Sequence, residues 1–381
     1  MTTKSIYIHF PFCRSKCVYC NFVSFAGKDG AIDRYVAAVG KELALWGKLH
    51  DGTPIETVYI GGGTPSLMKP KQLSALMAAI HGNFRLADDC EITMELNPQS
   101  GNAALIRTMR SCGINRVSVG LQVADDAILR ELMRPHNTAD FVATVGRLRR
   151  AGITNISADM MLGLPHQNIA VVKHTVELLR KLDIPHISAY GLKVEKGTPL
   201  YKLVRNGITL LPEEDEAADM YDLVYKTLER DKIYRYEVSN FAKVGFESRH
   251  NVNYWKQGRY YGIGLNASGF VGDTRYSNLR DMDKYFQRLE ENARPISKRH
   301  KLSLKEAEFE YIMLALRMDR GMDIKEFNAL YYTDFVRRYK KTLDRLEKIG
   351  LITYDSRTVS VRPEKMYLLN SVLVEFMDDE E

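Results

Sequence analysis

Six short β-rich runs alternate with longer amphipathic stretches through the first half of the chain, and this alternation narrows the fold more than any other feature. The runs are 5–9, 55–60, 90–95, 115–119, 154–160 and 185–190. Helical patterns lie between them at 32–49, 70–82, 101–112, 138–151 and 168–182. Repeated strand–helix units predict a parallel sheet with right-handed crossovers. Gly113 and Gly152 each follow a helical pattern and precede a strand, where a helix-closing glycine stands. Periodicity leaves open whether the sheet closes or stays a six-stranded partial barrel. In both cases the loops leaving the carboxyl ends of the strands carry the active site.

Those loops hold the residues with chemistry. After the first run and Pro11 comes Cys13-Arg14-Ser15-Lys16-Cys17-Val18-Tyr19-Cys20, a C-x3-C-x2-C array. Three thiols so spaced converge on one centre only if the segment loops, and Pro11 helps by stopping the strand. Three ligands on a four-position centre leave one position open, for water on zinc or for a ligand on one iron of an iron–sulfur cube. Reduced core cysteines are a third reading, which the polar neighbours Arg14, Ser15, Lys16 and Asn21 oppose. Taken alone, the segment divides evenly between a cluster and a zinc site with His9 as fourth ligand. After the second run stands Gly61-Gly62-Gly63-Thr64-Pro65-Ser66, where missing side chains let a ligand lie against the backbone. The Gly-Lys-Ser/Thr ending of a phosphate loop is absent. Glu95-Leu96-Asn97-Pro98 follows strand three, Ser118-Val119-Gly120-Leu121-Gln122 strand four, and Asp159 lies on strand five ahead of Gly163-Leu164-Pro165. A core-facing carboxylate such as Asp159 needs a partner.

A length of 381 residues exceeds one ordinary domain and suggests a large barrel-like unit with a smaller one. Apolar content of 45% and charged content of 27% fit a globular chain, and the apolar runs are too short to span a membrane. Met1-Thr2-Thr3-Lys4 leads straight into a strand-like run, so no secretory signal is read there. Five cysteines, three of them crowded, suit a reducing cytoplasm, with Cys90 and Cys112 as plain buried thiols. A net charge of +6 permits an anionic partner without demanding one. The basic groups Lys298-Arg299-His300-Lys301 and Arg337-Arg338-Tyr339-Lys340-Lys341 each read as a solvated helix face, and Asp378-Asp379-Glu380-Glu381 as a solvated end.

Together these pieces resemble the radical S-adenosylmethionine (SAM) enzymes, whose C-x3-C-x2-C holds a 4Fe–4S cluster and leaves its fourth iron for SAM. Within them, Tyr7 to about Pro199 is similar to the oxygen-independent coproporphyrinogen III oxidase group. Tyr7-Ile8-His9-Phe10-Pro11-Phe12-Cys13, the glycine loop, Glu95–Pro98, Ser118–Gln122 and Glu195-Lys196-Gly197-Thr198-Pro199 carry the likeness. The resemblance implies Cys13, Cys17 and Cys20 as cluster ligands, and Gly62, Gly63 and Thr64 against the methionine moiety of SAM. It puts Tyr7, Tyr19 and Glu95 in the SAM site, and gives Gln122, Arg134 and Asp159 to SAM or a second copy of it. For Arg134 the alternative is an ordinary surface arginine near a helix end.

Two departures from the oxidase point to its heme-chaperone branch, the HemW family. The oxidase motif continues to a fourth cysteine two residues after the third, where this chain has Phe22. Only twelve residues precede Cys13, where the oxidase has an extended segment. His250-Asn251-Val252-Asn253-Tyr254-Trp255 matches the H-N-x-x-Y-W signature that accompanies heme attachment in that family. Imidazole ligates heme iron and aromatic rings cover a porphyrin face, so His250 is the candidate heme contact; the alternative is a histidine and aromatics packed beneath a loop. Many relatives carry a histidine where Ser268 stands.

From about 303 the pattern reads helix 303–318, a short helix near 323–330, helix 334–349, and strands 351–354 and 358–361, a winged-helix-like module. Phe335, Tyr339 and Leu343 are core-directed, which argues against nucleic-acid reading by the second helix. The expected architecture is α/β: a partial (βα)6 TIM-like radical SAM barrel (1–230), a connecting segment (231–300) and a small α+β winged-helix-like domain (301–381). The resemblance implies a chaperone that binds heme, a 4Fe–4S cluster and SAM and serves heme-accepting proteins, without coproporphyrinogen oxidase activity. It implies an electron donor if SAM is cleaved, and allows a homodimer. A radical coproporphyrinogen III oxidase and a tRNA-modifying radical SAM enzyme are the alternatives.

Overall fold

A computed structural model of the protein describes residues 2–377. The acidic 378–381 end lies outside them. The six expected strands form as β1 (Thr3–Phe10), β2 (Ile55–Gly62), β3 (Leu86–Leu96), β4 (Arg116–Gln122), β5 (Asn155–Leu162) and β6 (His186–Gly191). They pair in sequence order, all parallel. The helices Ile32–Gly47, Pro70–Asn83, Ala103–Ser111, Thr138–Arg150 and Ile169–Lys181 make the crossovers. Asn102, Asn137 and Asn168 each cap one of these helices by accepting an N–H of its first turn. Gly113 and Gly152 take positive φ, +83° and +80°, as a helix-closing glycine does.

Side-chain parity explains both the sheet and the space inside it. Ile6, Ile8, Val58, Ile60, Val117 and Val119 pack into the core beneath the helices. The alternate positions on the same strands are polar: Ser5, Tyr7 and His9, then Thr57 and Tyr59, Glu91, Thr93 and Glu95, Arg116 and Ser118, Ser157 and Asp159, His186 and Ser188. A period of two places these on the opposite face. The barrel interior is therefore hydrophilic, which suits a ligand chamber rather than a packed core.

Residues 231–300 extend this sheet at both ends. Beside β6 lie β7 (Tyr234–Arg235) and β8 (Asn240–Ala242), both antiparallel to their neighbours. On the other side β9 (Arg259–Ile263) runs parallel to β1, followed by the antiparallel β10 (Ser268–Val271), β11 (Thr274–Asn278) and β12 (Ile296–Lys301). The result is one open twelve-stranded sheet, ordered β12-β11-β10-β9-β1-β2-β3-β4-β5-β6-β8-β7. The barrel stays open. Lys298, Arg299, His300 and Lys301 thus sit on an exposed edge strand and not on a helix face; charges there deter edge-to-edge pairing.

A second core, with Ile312, Phe327, Phe335, Leu343, Val359 and Val372, lies among helices after Ser303 and a three-stranded sheet. Its strands are Met322–Asp323, Ile352–Tyr354 and Thr358–Val361. Phe335, Tyr339 and Leu343 are buried, as their spacing suggests. The expected helix 334–349 breaks at Tyr339 into Phe335–Arg338 and Lys340–Lys348, so its basic group spans a break and not one continuous helix face. Arg235, buried against Asp319 at 2.6 Å, and the Arg275–Glu310 pair at 2.6 Å tie this unit to the sheet. Cys90 is buried and Cys112 half-buried.

Candidate functional site

The cysteine loop is held from both ends. Phe12–Cys13 pairs in parallel with Phe25–Ala26, and Phe25 N donates to Pro11 O at 2.7 Å. Between these anchors Val18 drops into a small apolar cluster with Val123, Leu129, Leu132 and Leu200. Burying that one valine stabilises the loop by roughly 1.5 kcal/mol. Val18 N donates to Leu132 O and Val18 O accepts from Leu200 N, which clamps the loop's centre to the segments after β4 and β6. Cys13, Cys17 and Cys20 consequently all face one cavity of about 430 Å³ at the carboxyl ends of the strands.

The glycine loop forms the neighbouring wall. Gly63 N donates to Phe10 O at 2.7 Å and Thr64 N to Phe12 O at 2.8 Å, so the loop is laced to the chain just before Cys13. A Cβ on Gly63 would come within 2.6 Å of Phe12 O and 3.0 Å of Cys13 Sγ. Gly62 has φ +116°, and a Cβ there would meet the His9 ring at 2.6 Å. The glycines are thus required first by this close approach of two backbones.

Side chains complete the chamber. Thr64 Oγ1 donates to Cys13 Sγ at 3.6 Å, Arg134 Nη1 to Cys17 Sγ at 3.5 Å, and Arg134 Nη2 to Gly120 O at 3.2 Å. Arg134 is therefore a rim residue facing a thiol, and its reading as a plain surface arginine falls. Tyr19, Gln122 and Asp159 also line the cavity. Gln122 has φ +71° and sits at a register shift between β4 and β5; strain of this kind collects at functional sites. Glu95 accepts from Tyr59 OH and Gly62 N, both at 2.9 Å. Burial, with the nearby Asp159 charge adding to it, raises the Glu95 pKa to about 7. Burial also raises Asp159, which accepts from Ser118 Oγ at 2.8 Å.

Three expected site residues stand elsewhere. Tyr7 lies on β1 below the loop, its hydroxyl 2.9 Å from His9 Nδ1 and its ring beside Tyr59, and it does not line the cavity. His9 has both ring nitrogens engaged, by Tyr7 OH and by Val23 O at 3.1 Å, which takes it out of a zinc set. Among the described residues, no group of three or more His, Cys, Asp or Glu is placed to hold a single metal ion. His250, the candidate heme contact, is enclosed at the barrel base. It is 1% exposed, with Nδ1 2.7 Å from Thr57 Oγ1 and Nε2 2.8 Å from Tyr254 OH. Burial foremost, with the Arg116 charge, lowers its pKa to about 3. Both ring nitrogens are thus engaged, the arrangement of a histidine and aromatics packed beneath a loop. Its helix, Arg249–Trp255, plugs the barrel base: Ser248 caps it, and Glu91 accepts from the Arg249 and His250 N–H groups at 3.1 Å. Ser268 is exposed on β10.

Sequence reading missed Tyr59, Arg116, Ser188, Tyr190 and Asn251, which all line the cavity. Strand parity was the available signal for the first four, because each occupies an interior position on its strand. Asn251 had no such signal, since it enters from the basal helix.

Comparison with known proteins matches this architecture end to end. Residues 7–179 match the radical SAM superfamily and 302–368 the HemN C-terminal domain. The chain is 33% identical over 377 residues to the heme chaperone HemW of Bacillus subtilis, covering 99% of this chain and all of the relative. Its identity to the HemW of Lactococcus lactis is 34% over 380 residues, covering 99% and 98% of the two chains. The coproporphyrinogen III oxidase HemN of Escherichia coli shares the fold at a TM-score of 0.87 and 21% identity, over 98% of this chain and 90% of that one. Similarity that runs unbroken through the cysteine loop, the barrel and the C-terminal unit places the chain in the HemW family of the radical SAM superfamily.

Proposed function

We propose that the chain is a heme chaperone that binds heme, a 4Fe–4S cluster and SAM and passes heme to acceptor proteins. The full-length similarity to proteins named heme chaperone HemW carries this reading. The residues present fit the cofactors. Three thiols ring one cavity with a donor aimed at two of them, as the outer-shell partners of a cluster are. Cys13, Cys17 and Cys20 would hold the cluster, and the Gly62–Thr64 backbone would lie beside SAM. Bound together, cluster and SAM supply one-electron chemistry. Glu95, near half-protonation at neutral pH, can accept from an ammonium or hydroxyl of a ligand. Arg134 and Thr64 steady the thiols, and the loop anchors keep the chamber shaped.

Against the oxidase alternative stands Phe22, 61% exposed at the cavity mouth where the oxidase motif has a fourth cysteine. A phenyl ring there offers no thiol, but it offers an apolar surface to a porphyrin. The test is heme transfer from the anaerobically reconstituted protein to an apo heme protein, run beside a coproporphyrinogen III assay with SAM and reductant. Transfer without porphyrinogen turnover is expected. Turnover to protoporphyrinogen contradicts the chaperone reading.

A further inference from the structure

Arg116 is a buried cation with no ion pair among the described residues, although its charge tempers the burial-driven rise of the Asp159 pKa. It stands on β4 at 2% exposure and lines the floor of the cavity. Its Nε is fully enclosed and unpartnered, and among the described residues the guanidinium forms no ion pair or hydrogen bond. Its enclosed Nε–H is thus left unmet and the rest of its fork unbonded in a low-dielectric chamber, an arrangement that persists where something else supplies acceptors.

The neighbours do not supply them. Asp159 is occupied by Ser118 and Ser188, and Glu95 by Tyr59 and Gly62. His250 and His186 lie close enough for the Arg116 charge to lower their pKa values, after burial, so they stay neutral at physiological pH. The chamber also has depth. The thiols and glycines lie on loops at the carboxyl ends of the strands, while Arg116 stands at the amino-terminal start of β4, with Ser188 and Tyr190 of β6 also in the lining. Leu67, Met161 and Leu192 add apolar lining, and Phe22 flanks the mouth. A fork at the floor beneath partly apolar walls fits an amphipathic ligand that enters with a planar carboxylate leading.

We propose that Arg116 anchors a carboxylate of the ligand that enters this chamber, namely a tetrapyrrole propionate. This inference rests on the heme-chaperone reading. The other source of a carboxylate is SAM itself, and the experiment separates the two.

Wild type, Arg116→Gln and Arg116→Lys, each as the full cluster-loaded chain, are titrated anaerobically with heme and with heme dimethyl ester by absorbance, and with SAM by calorimetry. Wild type is expected to bind the free acid at least tenfold more tightly than the ester. Arg116→Gln should fall to the ester level and lose the distinction, Arg116→Lys should keep part of it, and SAM affinity should not change. A glutamine variant that still prefers the acid as wild type does overturns the proposal. So does a loss of SAM affinity with heme binding intact, which gives the carboxylate to SAM. If Arg116→Gln does not fold, the lysine variant and the wild-type comparison decide, and equal binding of acid and ester by wild type refutes the anchor. Wild type that takes up no heme defeats the chaperone reading itself, a result distinct from heme binding indifferent to Arg116.

Discussion

The two ends of the barrel use the same vocabulary to opposite effect. At the base, His250, Tyr254, Thr57, Ser5 and Glu91 form a closed network in which each imidazole nitrogen has a partner and the carboxylate caps a helix. At the open end, three thiols, Glu95, Asp159 and Arg134 surround a cavity whose floor is Arg116. Both ends combine histidine or arginine with carboxylates and tyrosines, so composition does not tell them apart. Satisfaction does. A saturated buried network rigidifies the fold, whereas donors left facing a cavity await a ligand.

The largest effect that sharpens this contrast falls on the rim. Cys17→Ala removes one of three thiols and one of the contacts of Arg134, whose bond to Gly120 O remains. The variant should fold yet contain no 4Fe–4S centre after reconstitution, as read by iron content and EPR. A full cluster in the variant would equate this cysteine with a bystander.

At the base the expected effect is on stability. His250→Ala leaves Thr57 and Tyr254 unpaired and opens a void, at about 3 kcal/mol in chemical denaturation. The cluster spectrum should be unchanged. Loss of heme binding in a variant of unaltered stability would turn the base into a binding site and break the contrast.

Acid–base behaviour also divides the two ends. The His250 pKa is lowered to about 3, so its contribution to stability is present above the ordinary histidine value near 6.5 and is lost as pH falls toward 3. The Glu95 pKa is raised to about 7, so its contribution is present below the ordinary value near 4.5 and is lost as pH rises through 7. Between pH ~4.5 and ~6.5 the two slopes, about 1.4 kcal/mol per pH unit each, oppose one another. Relative to wild type, His250→Ala should lose stability with rising pH in that window, and Glu95→Gln should gain it. Parallel profiles for all three proteins would show that neither group is held as described.

A smaller effect belongs to the glycine loop. Gly62→Ala should cost about 2 kcal/mol, because positive φ strains any side chain and the new methyl meets the His9 ring. Thermal melting of the apoprotein measures it. An unchanged melting temperature would mean that the loop relaxes freely.

Much of the fold was legible because it rests on strong local periodicity. The parallel strands are β-rich runs between amphipathic helices, and Gly113 and Gly152 close two of those helices. The later strands were hidden for physical reasons. Tyr234–Arg235 is too short to show a period, and Ile296–Lys301 carries the charges of a protected edge, which imitate a solvated helix. At the site, the thiols and the Gly62–Thr64 stretch stood out because each set is closely spaced within its own loop. The engagement of both His250 nitrogens was not legible, because a motif names residues and not whether their donors are already taken. Arg116 was overlooked because it differs from a surface arginine only through its strand parity, which points it inward.

Hydrogen exchange of the anaerobic, cluster-loaded chain, with and without SAM and heme, measures directly which end binds. Protection is expected in the peptides spanning Cys13–Phe22, Gly61–Ser66 and Gln122–Pro135, with the smallest change at 249–255, from which Asn251 alone reaches the cavity. The largest change at 249–255, with the rim peptides unaltered, would contradict the assignment of the open end as the ligand site.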